Sequence, residues 1–89
     1  MQIVLTIVGK DKVGIIAKVS ALLAENNVNI LSINQTILEG YFTMVMLADM
    51  GKSTVSLREL QQILQQKGDE IGVEIKAQHE DIFHAMHRI

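Results

Sequence analysis

The chain has 89 residues, 48% of them apolar, with a formal net charge of −2. That length allows one domain near the small end of those that fold alone, and the apolar share suffices for a core. Cysteine and proline are absent, which excludes disulfides, thiolate metal sites and a cysteine nucleophile, while scattered lysines and an acidic balance argue against a nucleic-acid footprint.

Gln2–Val8 carries apolar residues on both parities (Ile3, Leu5, Ile7; Val4, Val8), the pattern of a central strand covered on both faces. It starts directly at the N-terminus, without the basic segment and cleavage site of a signal peptide. No apolar run reaches the ~18 residues that cross a bilayer. The chain therefore reads as a soluble cytoplasmic domain. Val13, Ile16, Ala17, Ser20, Leu23 and Ala24 then fall at helical spacing, and Asn26-Asn27 suits the helix end because Asn tolerates the left-handed conformation.

Between these elements lies Gly9-Lys10-Asp11-Lys12-Val13-Gly14. Gly9 is expected to allow a positive φ at the strand exit, and Gly14 to let another group approach the backbone at the helix start. The first N–H groups of the helix lack intrahelical partners and sit at the positive end of its dipole, so the turn suits an anionic or carboxylate ligand. The plain alternatives are that the glycines only shape the connection and that Asp11 only caps the helix. The glycines also satisfy G-x-x-x-x-G, but Ile15-Ile16 follows where a phosphate-binding loop needs Lys and Ser/Thr.

Val28–Leu38 is β-rich, and Glu39-Gly40 turns it into Tyr41–Met50, a hairpin pairing Leu38 with Tyr41, Ile37 with Phe42, Gln35 with Met44 and Ile33 with Met46. Ile33, Ile37, Phe42, Met44, Met46 and Ala48 form its expected core face. Val28 and Ile30 have the other parity, which calls for a bulge near Leu31-Ser32. Asn34 and Gln35, polar in an apolar strand, suit either an interface or pocket or a solvated edge. Ser53 is a candidate N-cap for a helix carrying Leu57, Leu60, Ile63 and Leu64 and ending near Lys67-Gly68. Val73, Ile75 and Ala77 alternate with Glu74, Lys76 and Gln78 as in a one-sided edge strand. Ile82, Phe83, Met86 and Ile89 return to helical spacing in a tail over residues 78–89.

The order is βαββαβ plus a short C-terminal helix in one domain spanning 1–89. It predicts an α+β, ferredoxin-like sandwich: a four-stranded antiparallel sheet with two helices on one face. The opposite face carries apolar residues that need a cover, supplied in part by the tail and in part by a second copy, so a homodimer or higher homo-oligomer is expected.

The turn Gly9–Ile15, the segment Asn27-Val28-Asn29-Ile30, Tyr41-Phe42-Thr43-Met44, the ending Ile82-Phe83-His84-Ala85-Met86 and the βαββαβ order together resemble an ACT domain, closest to the small stand-alone proteins of bacteria and archaea. The resemblance covers essentially the whole chain. It implies non-catalytic, regulatory binding of an amino acid or similar metabolite at a homodimer interface, with side-by-side pairing into an eight-stranded sheet and a separate protein partner receiving the signal. By position it implies a ligand site at Asp11, Lys12, Val13, Gly14 and Ile15, with Asn29 reaching in from the partner subunit. Many amino-acid-sensing ACT domains carry Arg-Pro-Gly where this chain has Lys12-Val13-Gly14, so ligand identity does not transfer.

Two rival readings stand beside this one. The first is an assembly module that works without a ligand. The second is a metal-binding accessory protein using Glu80, His84 and His87, which share a helical face but have no second cluster to complete a coordination shell. No nucleophile elbow, spaced acid pair or oxyanion motif is present, so no enzymatic activity and no cofactor are expected.

Overall fold

A computed structural model describes residues 1–81. The elements are β1 (Gln2–Lys10), α1 (Ile15–Glu25), β2 (Asn29–Leu38), β3 (Tyr41–Asp49), α2 (Leu57–Ile71) and β4 (Val73–His79). The strands form one sheet in the order β2-β3-β1-β4, with every neighbouring pair antiparallel. This is the ferredoxin-like arrangement. The two-sided apolarity of β1 is matched by its central position.

One set of strand faces meets the helices. Ile3, Leu5 and Ile7 of β1, Phe42, Met44, Met46 and Ala48 of β3, and Val73, Ile75 and Ala77 of β4 pack with Ile15, Val19, Leu22 and Leu23 of α1 and with Leu60, Leu64 and Ile71 of α2. Each fully buried large side chain of this set contributes about 1.5–3 kcal/mol relative to exposure. The buried stripe of α1 starts at Ile15 and lies one position off the stripe expected from Val13, Ile16 and Ala17. Val13 precedes the helix, and Ala17 and Ala24 are exposed. Ala17 and Ala24 have the right period and the wrong phase, while Ile16 is half-buried against the core rim and Leu23 is buried as expected.

The hairpin has the expected register, with Leu38 opposite Tyr41 and a shift between Ile30 and Ser32 that leaves Leu31 as the bulged residue. Glu39 and Gly40 have φ of 53° and 80°, the positive pair that a type I′ turn requires. Ile33 and Ile37 face the helix side as expected, yet they are exposed. Of the two helices only α1 contacts β2, and sparsely.

Several boundaries differ from expectation. β1 continues to Lys10. α2 is capped by Ser56, not Ser53: the Ser56 hydroxyl accepts from the Glu59 N–H at 3.1 Å, the N-cap bond, and donates to Glu59 Oε1 at 3.2 Å. Ser53 instead holds the preceding turn through the Val55 N–H and carbonyl. The helix runs past Lys67-Gly68 to Ile71 and ends at Gly72, whose N–H donates to the Gly68 carbonyl at 2.8 Å. A glycine inside α2 is tolerated because that helix lies close to the start of β4. The expected tail helix has its first residues, Glu80 and Asp81, in helical backbone; the rest of it lies outside the described residues. No described helix is long and apolar enough to cross a membrane.

Candidate functional site

The turn from β1 into α1 is fastened to two different elements. The Asp11 N–H donates to the Gly40 carbonyl at 2.8 Å, tying the turn to the β2–β3 hairpin. Lys12 Nζ donates to the Ile71 carbonyl at 3.3 Å, a cation at the negative end of α2. Gly9 does not supply the positive φ expected of it. It lies within β1, paired with Val73, and a Cβ there would stand 2.8 Å from Val73 Cγ1. Its role is close approach of β4.

Gly14 is the residue that needs glycine's freedom. With φ 90° and ψ 3° it is the N-cap of α1, and its carbonyl accepts the first helical bond from the Lys18 N–H at 3.0 Å. A side chain there would meet open space and only backbone strain. No side chain caps α1, and its first turn contains no acidic residue. Asp11 is therefore not the cap. The leading N–H groups of α1 project along the helix axis without an intrahelical acceptor.

Those N–H groups open on a groove of about 430 Å³ between the start of α1 and β2, within the range of small-molecule sites. Its lining comprises Asp11, Lys12, Gly14, Ile15, Ile16, Ala17, Gln35, Ile37 and Phe42. Phe42 is a buried floor, while Gln35 and Ile37 form a wall from the exposed strand. The groove thus combines a carboxylate, an amide, a hydrogen-bond-donating helix end and an apolar surface.

Of the residues expected at the site, Asp11, Lys12, Gly14 and Ile15 come together here. Val13 does not line the groove; its side chain is fully exposed, so any part it takes is through its backbone. Asn29 is at the other end of the sheet: it pairs with Asp49, whereas the turn lies beside the Leu38–Tyr41 end. Nine strand residues put about 30 Å between them. Within one chain Asn29 cannot reach the turn, and only a second chain could bring it there. Sequence reasoning did not assign Ile16, Ala17, Ile37 and Phe42 to the groove. Their apolar character marked them as core, and the hairpin register, which sets Ile37 opposite Phe42, was the available signal. Gln35 had been marked by its polarity.

For the metal reading, His84 and His87 lie outside the described residues and Glu80 is half-buried. Among the described residues no group of three metal-ligating side chains occurs.

An ACT domain family model matches residues 1–78. The chain belongs to the ACT domain family. It is 55% identical to a UPF0237 protein of Clostridium perfringens across 89 residues, the full length of both. An ACT domain protein from Streptococcus pneumoniae superposes with a TM-score of 0.82 at 38% identity, covering 98% of each chain. The regulatory subunit of aspartate kinase from Thermus thermophilus, in a ligand-free form, shares the fold with a TM-score of 0.66 at 24% identity, over 86% of this chain and 50% of that one.

Proposed function

We propose that this ACT domain is a non-catalytic regulatory module that binds a small amino acid or a related metabolite at a homodimer interface. The observation that carries the reading is the uncapped α1 N-terminus, held open by Gly14 in the left-handed conformation and facing a groove whose far wall is an exposed strand. The ligand carboxylate would accept from the leading N–H groups of α1, the Asp11 carboxylate would receive the ammonium, and Gln35 and Ile37 would meet the side chain. Lys12 is already engaged at the end of α2. Its place is to hold the turn and not to clamp the ligand.

The second chain enters through β2. This strand of ten residues, Asn-Ile-Leu-Ser-Ile-Asn-Gln-Thr-Ile-Leu, contains no charge and no buried residue, an edge without the usual guards against pairing. Antiparallel pairing about its middle would set Asn29 of the partner subunit beside Leu38, at the mouth of the groove. Occupancy would then favour one dimer geometry over another, and a separate protein would read the difference. The same edge favours a second reading, assembly without a ligand, which separates from the first by its indifference to metabolites.

Thermal unfolding of the dimer with each of the twenty amino acids tests the proposal. A rise in Tm with one or a few of them is expected in the wild type and absent in Gly14→Leu after allowance for that variant's lower baseline. Uniform indifference to all twenty, with the dimer intact, would leave the assembly reading standing.

A further inference from the structure

The backbone of β2 restricts how a second copy of that strand can pair with it. Leu38 and Tyr41 flank the Glu39-Gly40 turn and form the hydrogen-bonded pair that closes the hairpin. Alternation along the strand then points the backbone groups of Thr36, Asn34 and Ser32 at β3, and those of Ile37, Gln35 and Ile33 at the open edge. The side chains divide in the same way. Ile33, Gln35 and Ile37 stand opposite Met46, Met44 and Phe42, which are buried under the helices. Ser32, Asn34 and Thr36 stand opposite Leu47, Val45 and Thr43 on the other, open face of the sheet.

Two copies of β2 related by a two-fold axis must set edge-facing backbone groups opposite one another and keep like faces together. The axis therefore passes through a residue and not between two. Ile33, Asn34 and Gln35 are the candidates near the middle of the strand, and the bulge at Leu31 decides among them. With Asn34 on the axis, Ile33 lies opposite Gln35 and Ser32 opposite Thr36. The bulge then absorbs one residue, so that Ile30 meets Ile37 and Asn29 meets Leu38. Ile30, across from buried Ala48, is on the helix side like Ile37, so the faces still match beyond the bulge. This register takes in the whole of β2. An axis at Ile33 leaves the exposed Ile37 and Leu38 without partners, and one at Gln35 leaves Asn29, Ile30 and Leu31 without them.

We propose that β2 pairs with β2 of a second copy with Asn34 on the two-fold axis, and that the two facing Asn34 side chains fix this register. The proposal rests on the homodimer reading above and adds its geometry. The backbone bonds of Asn34 go to β3, so across the axis it forms a pair without hydrogen bonds, with Cα atoms about 4.5 Å apart and both side chains rising from the open face. Each amide has a donor and an acceptor, and the two-fold relation lets the two exchange N–H···O bonds. Only a second copy of the same strand places an identical amide there, which makes this chain the occupant of its own edge. A single polar side chain that meets its copy sets register elsewhere too, as an Asn does in coiled coils. The same register brings the partner's Ile33 opposite Gln35 and the partner's Ile30 opposite Ile37. Gln35 and Ile37 are the outer wall of the groove, so two isoleucines of the other chain complete it.

The chain has no cysteine, so single introduced thiols report the axis. Ile33→Cys, Asn34→Cys and Gln35→Cys are oxidised separately, at a concentration where sedimentation shows the wild type to be dimeric. A thiol on the axis meets its copy at a separation suited to a disulfide, whereas one beside it meets its copy only diagonally, at roughly 7–8 Å between Cα atoms. Asn34→Cys should therefore cross-link at least about tenfold faster than either neighbour. Because that variant removes the amide itself, Ser32→Cys and Thr36→Cys, which keep Asn34, are oxidised alone and mixed. Neither should cross-link alone, and the mixture should give the mixed disulfide. Asn34→Asp sets two carboxylates on the axis and should make dissociation at neutral pH at least about tenfold easier than Thr36→Asp does. Faster cross-linking at Ile33→Cys or Gln35→Cys, no mixed disulfide from dimeric Ser32→Cys and Thr36→Cys, or equal dissociation of the two aspartate variants would overturn the register and leave the homodimer in place. A wild type that stays monomeric would overturn both.

Discussion

The two edges of the sheet are treated in opposite ways. At the β4 edge, Gln61 of α2 reaches over and its Nε2 donates to the Ala77 carbonyl at 2.7 Å. Glu74 and Lys76 pair on the outer face at 3.5 Å, and Val73, Ile75 and Ala77 are buried under α2. A new strand adding there would have to displace a hydrogen bond and face charges. At the β2 edge only α1 makes contact, and sparsely, the strand carries no charge, and Ile33, Ile37 and Leu38 are exposed. The contrast shows which edge is guarded and which is open. The groove at the start of α1 takes its outer wall from the open side.

The largest expected effect separates the core from that open edge. Met46→Ala, at a fully buried position on β3, should lower stability by about 2–5 kcal/mol. Ile37→Ala on β2 should stay within about 0.5 kcal/mol in the dilute monomer. A large loss from Ile37→Ala under those conditions, measured by urea unfolding, would show that β2 already has its cover.

Next comes the edge itself. Ile33→Lys sets like charges near each other across a two-fold pairing of β2, and such juxtaposition costs several kcal/mol. Sedimentation should show dimer dissociation at least about a hundredfold easier. Lys76→Ala on the β4 edge should leave the mass distribution unchanged. Gln61→Leu asks whether the β4 edge is guarded: loss of one side-chain hydrogen bond should cost about 1 kcal/mol in thermal unfolding, and new association at high concentration should appear because the Ala77 carbonyl is released. The smallest effect is at the groove. Ala17 occupies the third helical position of the uncapped α1, so Ala17→Glu adds a negative charge beside the free N–H groups and should raise stability by about 0.3–1 kcal/mol. The same carboxylate fills the place assigned to the ligand, so tighter folding should accompany lost binding.

Much of this layout was legible in the chain. Alternation in Val73–Gln78, the two-residue turn at Glu39-Gly40 and the parity break at Leu31 each depend on local backbone geometry, which short-range pattern reports faithfully. The boundaries at Ser56 and Ile71 were less legible because several residues nearby could cap or end a helix, and tertiary contact selects among them. Ser56 wins through its reciprocal bonds with Glu59. The phase of α1 was obscured by apolar residues around much of its circumference. At the site, the turn was visible from Gly9 to Gly14, but the purposes of its glycines were not, since close approach to Val73 and the left-handed cap are both properties of neighbours that meet only in the fold. The exposure of Ile33 and Ile37 depends on how far the helices extend across the sheet, which no pairing pattern encodes.

The central claim is that each binding site is built from two chains, and complementation between two defective variants tests it most directly. Ala17→Glu spoils the helix end of the groove, and Asn29→Leu spoils the contribution of the partner subunit, so neither homodimer should bind the amino acid that stabilises the wild type. In a mixed dimer one site inherits both native parts. Random mixing makes half the dimers mixed, with one of their two sites intact, so calorimetric titration of the mixture should recover about a quarter of the wild-type sites. Recovery at that level is the expected result; two variants that fail alone and stay silent together, despite forming mixed dimers, would contradict a site shared between chains.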